Sequence, residues 1–205
     1  MLPGHKVLVA WTNGRRAAAY LLEDEIGRKC VLKHYRPGNL PIMIKEMIAL
    51  RCLATLDVAP QVLSYELAAS TLILSYVPGE RVLEWVLRRY GDRGLDLAQF
   101  ASAHGLSTNE HVQRAFERFR SSTDTQALAL REAIVDTYRR LHRVHVLHGD
   151  PGPRNIIYDG KRAYLIDFDQ TRPSLSPARI EARGLKKWYG IDLLAERSEA
   201  VGYRL

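Results

Sequence analysis

Several things this chain has little of narrow its class before any motif is read. Only two of its 205 residues are cysteine, Cys30 and Cys52. Each lies in an apolar pattern without metal-ligand spacing, which argues against a disulfide framework and a zinc site. Both read as small buried hydrophobes in a reducing compartment. No apolar run approaches the roughly 20 residues of a membrane span, and Met1-Leu2-Pro3-Gly4-His5-Lys6 lacks the apolar stretch of a secretory signal. The expectation is a cytoplasmic protein without stable membrane insertion, although an uncleaved export signal of the bacterial injection type would leave no trace in this test. Acidic residues are outnumbered, 23 against 30 Lys and Arg, for a formal net charge of +7. That balance favours anionic partners without choosing among them. No nucleic-acid reader motif or interleaved aromatic–basic surface is apparent, so no nucleic-acid partner is expected. Repeats and low-complexity tracts are absent too. At roughly 150 residues per domain, the length suits one domain, which two lobes could share.

What is present is concentrated in one stretch. His148-Gly149-Asp150-Pro151-Gly152-Pro153-Arg154-Asn155 is followed by Leu165-Ile166-Asp167-Phe168-Asp169. Between them, the apolar runs Ile156-Ile157-Tyr158 and Ala163-Tyr164-Leu165-Ile166 flank Asp159-Gly160-Lys161-Arg162. Asp-Gly between apolar runs is a strong hairpin signal. Such a hairpin would bring the loop of Asn155 and the strand end of Asp167 to one edge. Two hard oxygen donors there suit magnesium, which prefers few protein ligands plus phosphate oxygens and water. A lone Asp, an Asn five positions later and a second Asp beyond a hairpin is the order that phosphoryl transfer needs. One carboxylate accepts the proton of the attacking hydroxyl, while the Asn and the second carboxylate hold metal on the nucleotide phosphates.

Along the chain, the hydrophobic pattern divides into two unequal parts. Val7 to Trp11, Ala18 to Leu22 and Cys30 to His34 are short strand-like runs, separated by turns at Asn13-Gly14 and Glu25-Ile26-Gly27-Arg28. Leu40 to Leu56 follows with helical spacing of Met43, Met47, Leu50 and Ala54, ending at Asp57 to Pro60. Two more strands are expected over Val62 to Leu67 and Leu72 to Val77, before a turn or hinge at Pro78-Gly79. The remainder reads mainly helical, over Arg81 to Tyr90, Asn109 to Phe119, Leu128 to Val144, and from Pro177 to about Glu196. Leu95 to Ala127 is more polar and less regular, and Ser121 to Thr125 reads as a flexible loop.

The first part carries weaker chemical signals. Lys33 sits between apolar neighbours on a middle strand, where an ammonium must snorkel or find an anion. Ile42, Glu46, Ala49 and Leu53 share one helix stripe, and a carboxylate there is costly to bury unless paired. A Lys33–Glu46 ion pair is therefore expected. The turn Thr12-Asn13-Gly14-Arg15-Arg16 falls where a phosphate loop would lie, with Gly14 permitting a tight turn and Arg15 or Arg16 adding charge. It could equally be a plain hairpin turn.

Taken in order, these features resemble the protein-kinase-like superfamily, whose signature reads His-Arg-Asp-Leu-x-x-x-Asn and then Asp-Phe-Gly. The closest likeness is to its compact atypical branch of RIO-type, aminoglycoside and lipopolysaccharide-sugar kinases, which share His-Gly-Asp. The resemblance implies an α+β, bilobal fold. Residues 1–77 would form a nucleotide-binding N-lobe of five antiparallel strands and one helix. Residues 78–205 would form a truncated, mainly helical C-lobe. By position, Asp150 is the catalytic base, Asn155 and Asp167 are metal ligands, Lys33 is the phosphate-binding lysine and Glu46 its partner. Adenine would lie by Leu74, Ser75, Tyr76 and Val77, and His148 would brace the loop. Arg154 would supply charge that many protein kinases draw from a lysine at the position of Gly152. Asp169 replaces the glycine of Asp-Phe-Gly, and Gly149 replaces an arginine.

The implied activity is ATP- and magnesium-dependent phosphoryl transfer to a hydroxyl, manganese being a substitute metal. A serine or threonine of a protein is the first acceptor, as for a small bacterial effector kinase that would act in a host cytosol. A small molecule or lipopolysaccharide sugar is the alternative, and a nucleotide-binding pseudokinase a further one. Oligomeric state is left open. Little chain follows Asp169, so acceptor docking would fall to the Thr171 to Ala178 loop, the Gly91 to Thr125 insertion or the last helix. Trp188 and Tyr189 read as core aromatics rather than a docking patch.

Overall fold

The computed structural model describes residues 4–94 and 109–194. The chain divides into two compact units, Met1–Val77 with Asp167–Thr171, and Pro78–Ile166 with Arg172–Leu205.

The first unit is built on β1 (Lys6–Trp11), β2 (Ala17–Glu23), β3 (Lys29–Tyr35), β4 (Val62–Glu66) and β5 (Thr71–Ser75). They form one antiparallel sheet in the order β1-β2-β3-β5-β4. Helix α1 (Leu40–Cys52) crosses between β3 and β4. Its start is set by Pro41, whose missing N–H costs nothing in the first turn. Met43, Glu46, Met47, Ala49 and Leu50 are its buried positions. The helix stops at Cys52, short of the expected Leu56. Leu53 is its cap and stays buried, whereas Ala54 is exposed and takes no part in the stripe. Cys52 is exposed rather than buried, because it falls on the outer face of the last turn; Cys30 is buried on β3. The β2–β3 turn is closed by Asp24, whose carboxylate accepts N–H bonds from Ile26 and Arg28 at 3.0 and 2.8 Å. A 3₁₀ turn, Phe168–Gln170, belongs to this unit and lies against α1.

In the second unit, α2 (Val82–Tyr90), α3 (Glu110–Ser121), α4 (Thr125–Arg143) and α5 (Pro177–Tyr189) are the helices among the described residues. Its core is aromatic where α2 meets α3. Trp85 lies edge-on to Phe119 and Tyr158, and Phe116 edge-on to Phe119 and Trp188. Along α4, Leu130, Ile134, Tyr138 and Leu141 are fully buried, while Val144, just past the helix end, is exposed. The hairpin of β8 (Ile156–Tyr158) and β9 (Ala163–Leu165) turns through Asp159, whose carboxylate takes the N–H groups of Lys161 and Arg162 at 2.8 and 2.7 Å. Short runs too brief to leave a periodicity complete the sheets. These are β6 (Glu80–Arg81) beside β8, and β7 (Val146–Leu147) beside β10 (Arg172–Pro173). Gly79, at φ 126°, lies where a Cβ would stand 2.5 Å from the Tyr158 carbonyl, so only glycine fits the entry to β6.

The Ser121 to Thr125 stretch is a capped corner rather than a flexible loop. Asp124 is the N-cap of α4 and accepts from Gln126 N and Ala127 N at 3.0 and 2.8 Å. Its other oxygen accepts from the Ser122 hydroxyl and from Tyr90. Arg131 ties the same corner by donating to the carbonyls of Arg120 and Ser122 at 2.6 Å each. Helix α5 ends at Tyr189, where Gly190 takes a left-handed cap at φ 71° and donates to Lys186 O at 3.0 Å. The expected extension to Glu196 is not made, because residues 190–194 leave the helix after the Gly190 cap; residues 195–196, and residues 95–108 of the Leu95 to Ala127 stretch, lie outside the described residues. No described helix is long and apolar enough to cross a membrane.

The Ser122 hydroxyl, the Tyr90 hydroxyl and the backbone amides of α4 hold the Asp124 carboxyl well below its ordinary range. A depressed folded-state pKa contributes stability that is present above the unfolded value near 4 and is lost as pH falls through the folded value. Asp124→Ala should therefore lower the melting temperature at pH 7 by a few degrees. The difference from wild type should shrink as thermal scans are taken from pH 5 to pH 2.

Candidate active site

In the first unit, the strand period puts Lys33 and Tyr35 on one face of β3, and the helix period puts Glu46 on the buried face of α1. The three side chains meet. Lys33 Nζ donates to both oxygens of Glu46, at 2.8 and 2.7 Å, and Tyr35 donates its hydroxyl to Glu46 Oε2. The Glu46 side chain is 1% exposed and that of Lys33 13%. Burial, the largest single influence, would lower the Lys33 pKa, but Glu46, Asp167 and Tyr35 together outweigh it and hold the ammonium well above its ordinary value. Burial, reinforced by Glu46, pushes the Tyr35 hydroxyl upward, so it remains a donor.

The same cluster reaches the Asp167 segment. Lys33 Nζ stands 3.0 Å from Asp167 Oδ1, and Glu46 Oε1 accepts the Phe168 N–H at 3.3 Å. Asp167 adopts a left-handed conformation, φ 65° and ψ 68°, which Asp tolerates better than most residues. Its carboxylate is 47% exposed. Phe168 is fully buried. Asp169 forms an ion pair with Arg16. Burial and the neighbouring Asp167 raise the Asp169 pKa, and Arg16 opposes them. The residue that departs from Asp-Phe-Gly is thus partnered by an arginine of the loop that departs from the glycine-rich pattern.

That loop, Thr12 to Arg16, is fixed from outside. Arg36 donates to Gly14 O at 3.1 Å and to Thr12 O at 2.9 Å. A Cβ on Gly14 would stand 2.1 Å from Ala17 O, so the turn admits only glycine there. Ser75 N donates to Gln61 O, and its hydroxyl accepts from Gln61 N, both at 2.8 Å. Those groups of Ser75 serve the β4 side of the sheet, leaving Tyr76 and Val77 as the segment's further candidates. Tyr76 is half-buried beneath the Lys29 ammonium, and Val77 is buried.

The second unit holds the His148–Asn155 loop. His148 Nε2 pairs with Ile166 O at 3.0 Å, and Asp150 N donates to His148 Nδ1 at 3.4 Å. Asp150 Oδ1 accepts Gly152 N at 3.2 Å, closing an Asx turn. Asn155 Nδ2 donates to Asp150 O at 3.3 Å, and Asn155 O accepts Ile166 N at 2.9 Å. Asp150 and Asn155 are thereby held together. Arg154 is half-buried; burial, and Arg81 after it, lower its pKa, while Glu84 and Asp150 oppose them. Its charge lies within the electrostatic reach of Asp150.

Four partners were not singled out in the sequence: Tyr35, Arg36, Glu181 and His142. Tyr35 was legible as the same-face neighbour of Lys33 two residues on. Glu181 was legible by the argument used for Glu46, since Glu181, Leu185 and Tyr189 form an apolar helical stripe interrupted by one carboxylate. Arg36 and His142 have no such signal.

Asp167 in the first unit and Asn155 in the second each carry a hard oxygen donor, the ligand type that magnesium prefers; among the described residues no cluster of three or more His, Cys, Asp or Glu could hold a metal. Removing one partner of a buried pair leaves a charge uncompensated at a cost of about 3–5 kcal/mol. Lys33→Met should lose stability on that scale in urea denaturation, and Lys33→Met/Glu46→Leu should regain most of it.

Comparison with curated proteins gives no match. The pattern of APH, the phosphotransferase enzyme family, matches residues 8–175. That span is most of the chain, and includes nearly all of the first unit's sheet, the His148–Asn155 loop and Asp167. The chain belongs to the phosphotransferase enzyme family.

Proposed function

We propose that this protein transfers the γ-phosphate of ATP to a hydroxyl group, the acceptor being a serine or threonine of a protein. The observation that carries the reading is the Lys33 ammonium, shared between buried Glu46 and exposed Asp167. A cation fixed by one carboxylate, beside a second able to take metal, is what phosphate oxygens require. Lys33 would contact the α- and β-phosphates, and Asp167 and Asn155 would hold magnesium. Bridging of phosphate oxygens and neutralisation of their developing charge is the chemistry magnesium supplies when bound. Asp150 would accept the proton of the attacking hydroxyl through Oδ2, since Oδ1 already takes the Gly152 N–H. Arg154 would add positive charge beside that carboxylate. Gly14, Tyr76 and Val77 would line the nucleotide.

A protein acceptor is supported by the outer surface of the second unit. Arg172, Arg179, Arg183, Lys186 and Lys187 are exposed there, beside Leu175 at 92% and Ile180 at 51% exposure. Basic and apolar groups together suit an acidic protein surface. The second reading is a small-molecule or lipopolysaccharide-sugar hydroxyl, and the family match is compatible with either acceptor.

The test is incubation with γ-labelled ATP and magnesium, with and without cell lysate. Asp167→Ala should remove magnesium-dependent nucleotide binding and transfer together. Asp150→Ala should keep nucleotide binding and lose about 10²–10⁴-fold in transfer. Label in discrete protein bands, absent with Asp167→Ala, supports a protein kinase. Label confined to small molecules replaces it with the second reading. Tight ATP binding without label from the wild type overturns catalysis.

A further inference from the structure

The arginine-bearing turn of the first unit holds its two cations in different situations. Arg15 is exposed, whereas Arg16 is half-buried and pairs with Asp169. The paired side chains are 31% and 14% exposed, so the guanidinium keeps a face to solvent while the carboxylate is largely covered. The backbone that carries Arg16 is pinned. Its carbonyl accepts the Arg36 N–H at 2.8 Å, and the Arg36 guanidinium donates to Thr12 O and Gly14 O at 2.9 and 3.1 Å. With that base fixed, what can move is the Arg16 side chain.

Asp169 follows Asp167 by two residues on the 3₁₀ segment, and Lys33 Nζ stands 3.0 Å from Asp167 Oδ1. Arg16 is thus parked close to the Lys33–Asp167 pair. Lys33 is held from the other side by both oxygens of buried Glu46, which keeps it in place whatever binds. A guanidinium grips carboxylate and phosphate with the same two-pronged geometry, and phosphate carries the larger charge. With one glycine, the turn brings less backbone to a phosphate than a glycine-rich loop does, which leaves the charge to a side chain. We propose that Arg16 is the turn's phosphate-binding cation, and that Asp169 holds it in reserve until nucleotide phosphate displaces the carboxylate. The inference rests on the reading of the Lys33 site as a nucleotide-phosphate site. Asp169 then acts against binding, because each nucleotide must first take Arg16 from it, and the apparent affinity is lowered by that competition. An ion pair kept only to brace the fold has a different consequence. Breaking it from either side would loosen the turn and weaken nucleotide binding alike.

The experiment is a two-by-two cycle of Arg16→Gln and Asp169→Asn, read as displacement of a fluorescent ribose-labelled ATP by magnesium–ATP and by adenosine. Arg16→Gln should weaken ATP about 10-fold or more, the scale of a lost charged hydrogen bond, with adenosine unchanged. Asp169→Asn should tighten ATP about threefold, the scale of a partly exposed ion pair. That gain should vanish in Arg16→Gln/Asp169→Asn, since the two residues act through one contact. Arg16→Lys, which keeps the charge without the fork, should recover part of the loss. Melting curves establish that each variant folds, and Asp169→Ser takes the place of Asp169→Asn if the latter does not. Weaker ATP binding by the folded Asp169 variant overturns the proposal, as does an equal gain in the Arg16→Gln background. Unchanged ATP affinity in Arg16→Gln, or a loss shared equally by adenosine, overturns it too. If the wild type binds neither magnesium–ATP nor the labelled nucleotide, the phosphotransfer reading fails and the reserve arginine with it. If the wild type binds ATP and the cycle is flat, only the reserve arginine fails.

Discussion

A carboxylate taken out of water must be surrounded by donors, and among the described residues this protein makes that demand once in each unit. Glu46 in the first unit and Glu181 in the second are both essentially inaccessible. Each is matched by a nitrogen base from a neighbouring element, Lys33 for Glu46 and His142 for Glu181. Each then spends an oxygen on one backbone amide. For Glu46 that amide is Phe168, immediately after Asp167; for Glu181 it is Gly149, immediately before Asp150. Each of these two buried acids thus holds the backbone one residue from an acid that the proposed function uses, Asp167 or Asp150.

The physical reason for this economy is that loops are poor at holding position. A segment such as Gly149 to Asn155 has few side chains in the core, and its backbone groups need partners from elsewhere. A neutral acceptor would satisfy the Gly149 N–H at about half the strength of a charged one. The charge is tolerable because each carboxylate is met at once by a cation or imidazole, so the desolvation cost is offset locally. Removing a single member of either group would leave the rest stranded, which ties the geometry of the loops to the stability of the helices that carry the acids.

The departures from the kinase-like pattern follow a similar logic. The Thr12 to Arg16 turn has one glycine, and it is the position where a Cβ would collide with the backbone. Arg36 takes two of its carbonyls, and Arg16 pairs with Asp169. In place of a flexible glycine loop the first unit has a short turn clamped by two arginines. Asp169, an odd residue when read alone, is the partner that one of those arginines requires.

Much of this was legible in the residues themselves. Strand alternation and the Asp-Gly turn located the sheet and the hairpin, because side-chain direction in a strand is set by backbone geometry alone. The Lys33–Glu46 pair was inferable because a charge on an apolar stripe has few alternatives to an ion pair. The same reasoning extends to Glu181, where it was not applied. Other features depended on contacts between distant segments and left no local pattern. Helix α1 stopped at Cys52, and the corner at Asp124 was rigid, because of hydrogen bonds that composition does not encode. Two-residue strands such as β6 and β7 exist only through their partners. Arg16 meeting Asp169, Arg36 gripping the turn and His142 meeting Glu181 join residues 153, 22 to 24 and 39 positions apart. The sequence by itself determined which residues could do chemistry, since that follows from side-chain type and short-range period. Only the tertiary structure decided which of them are held in place and by what, since partners for a buried charge are chosen by packing rather than by proximity along the chain.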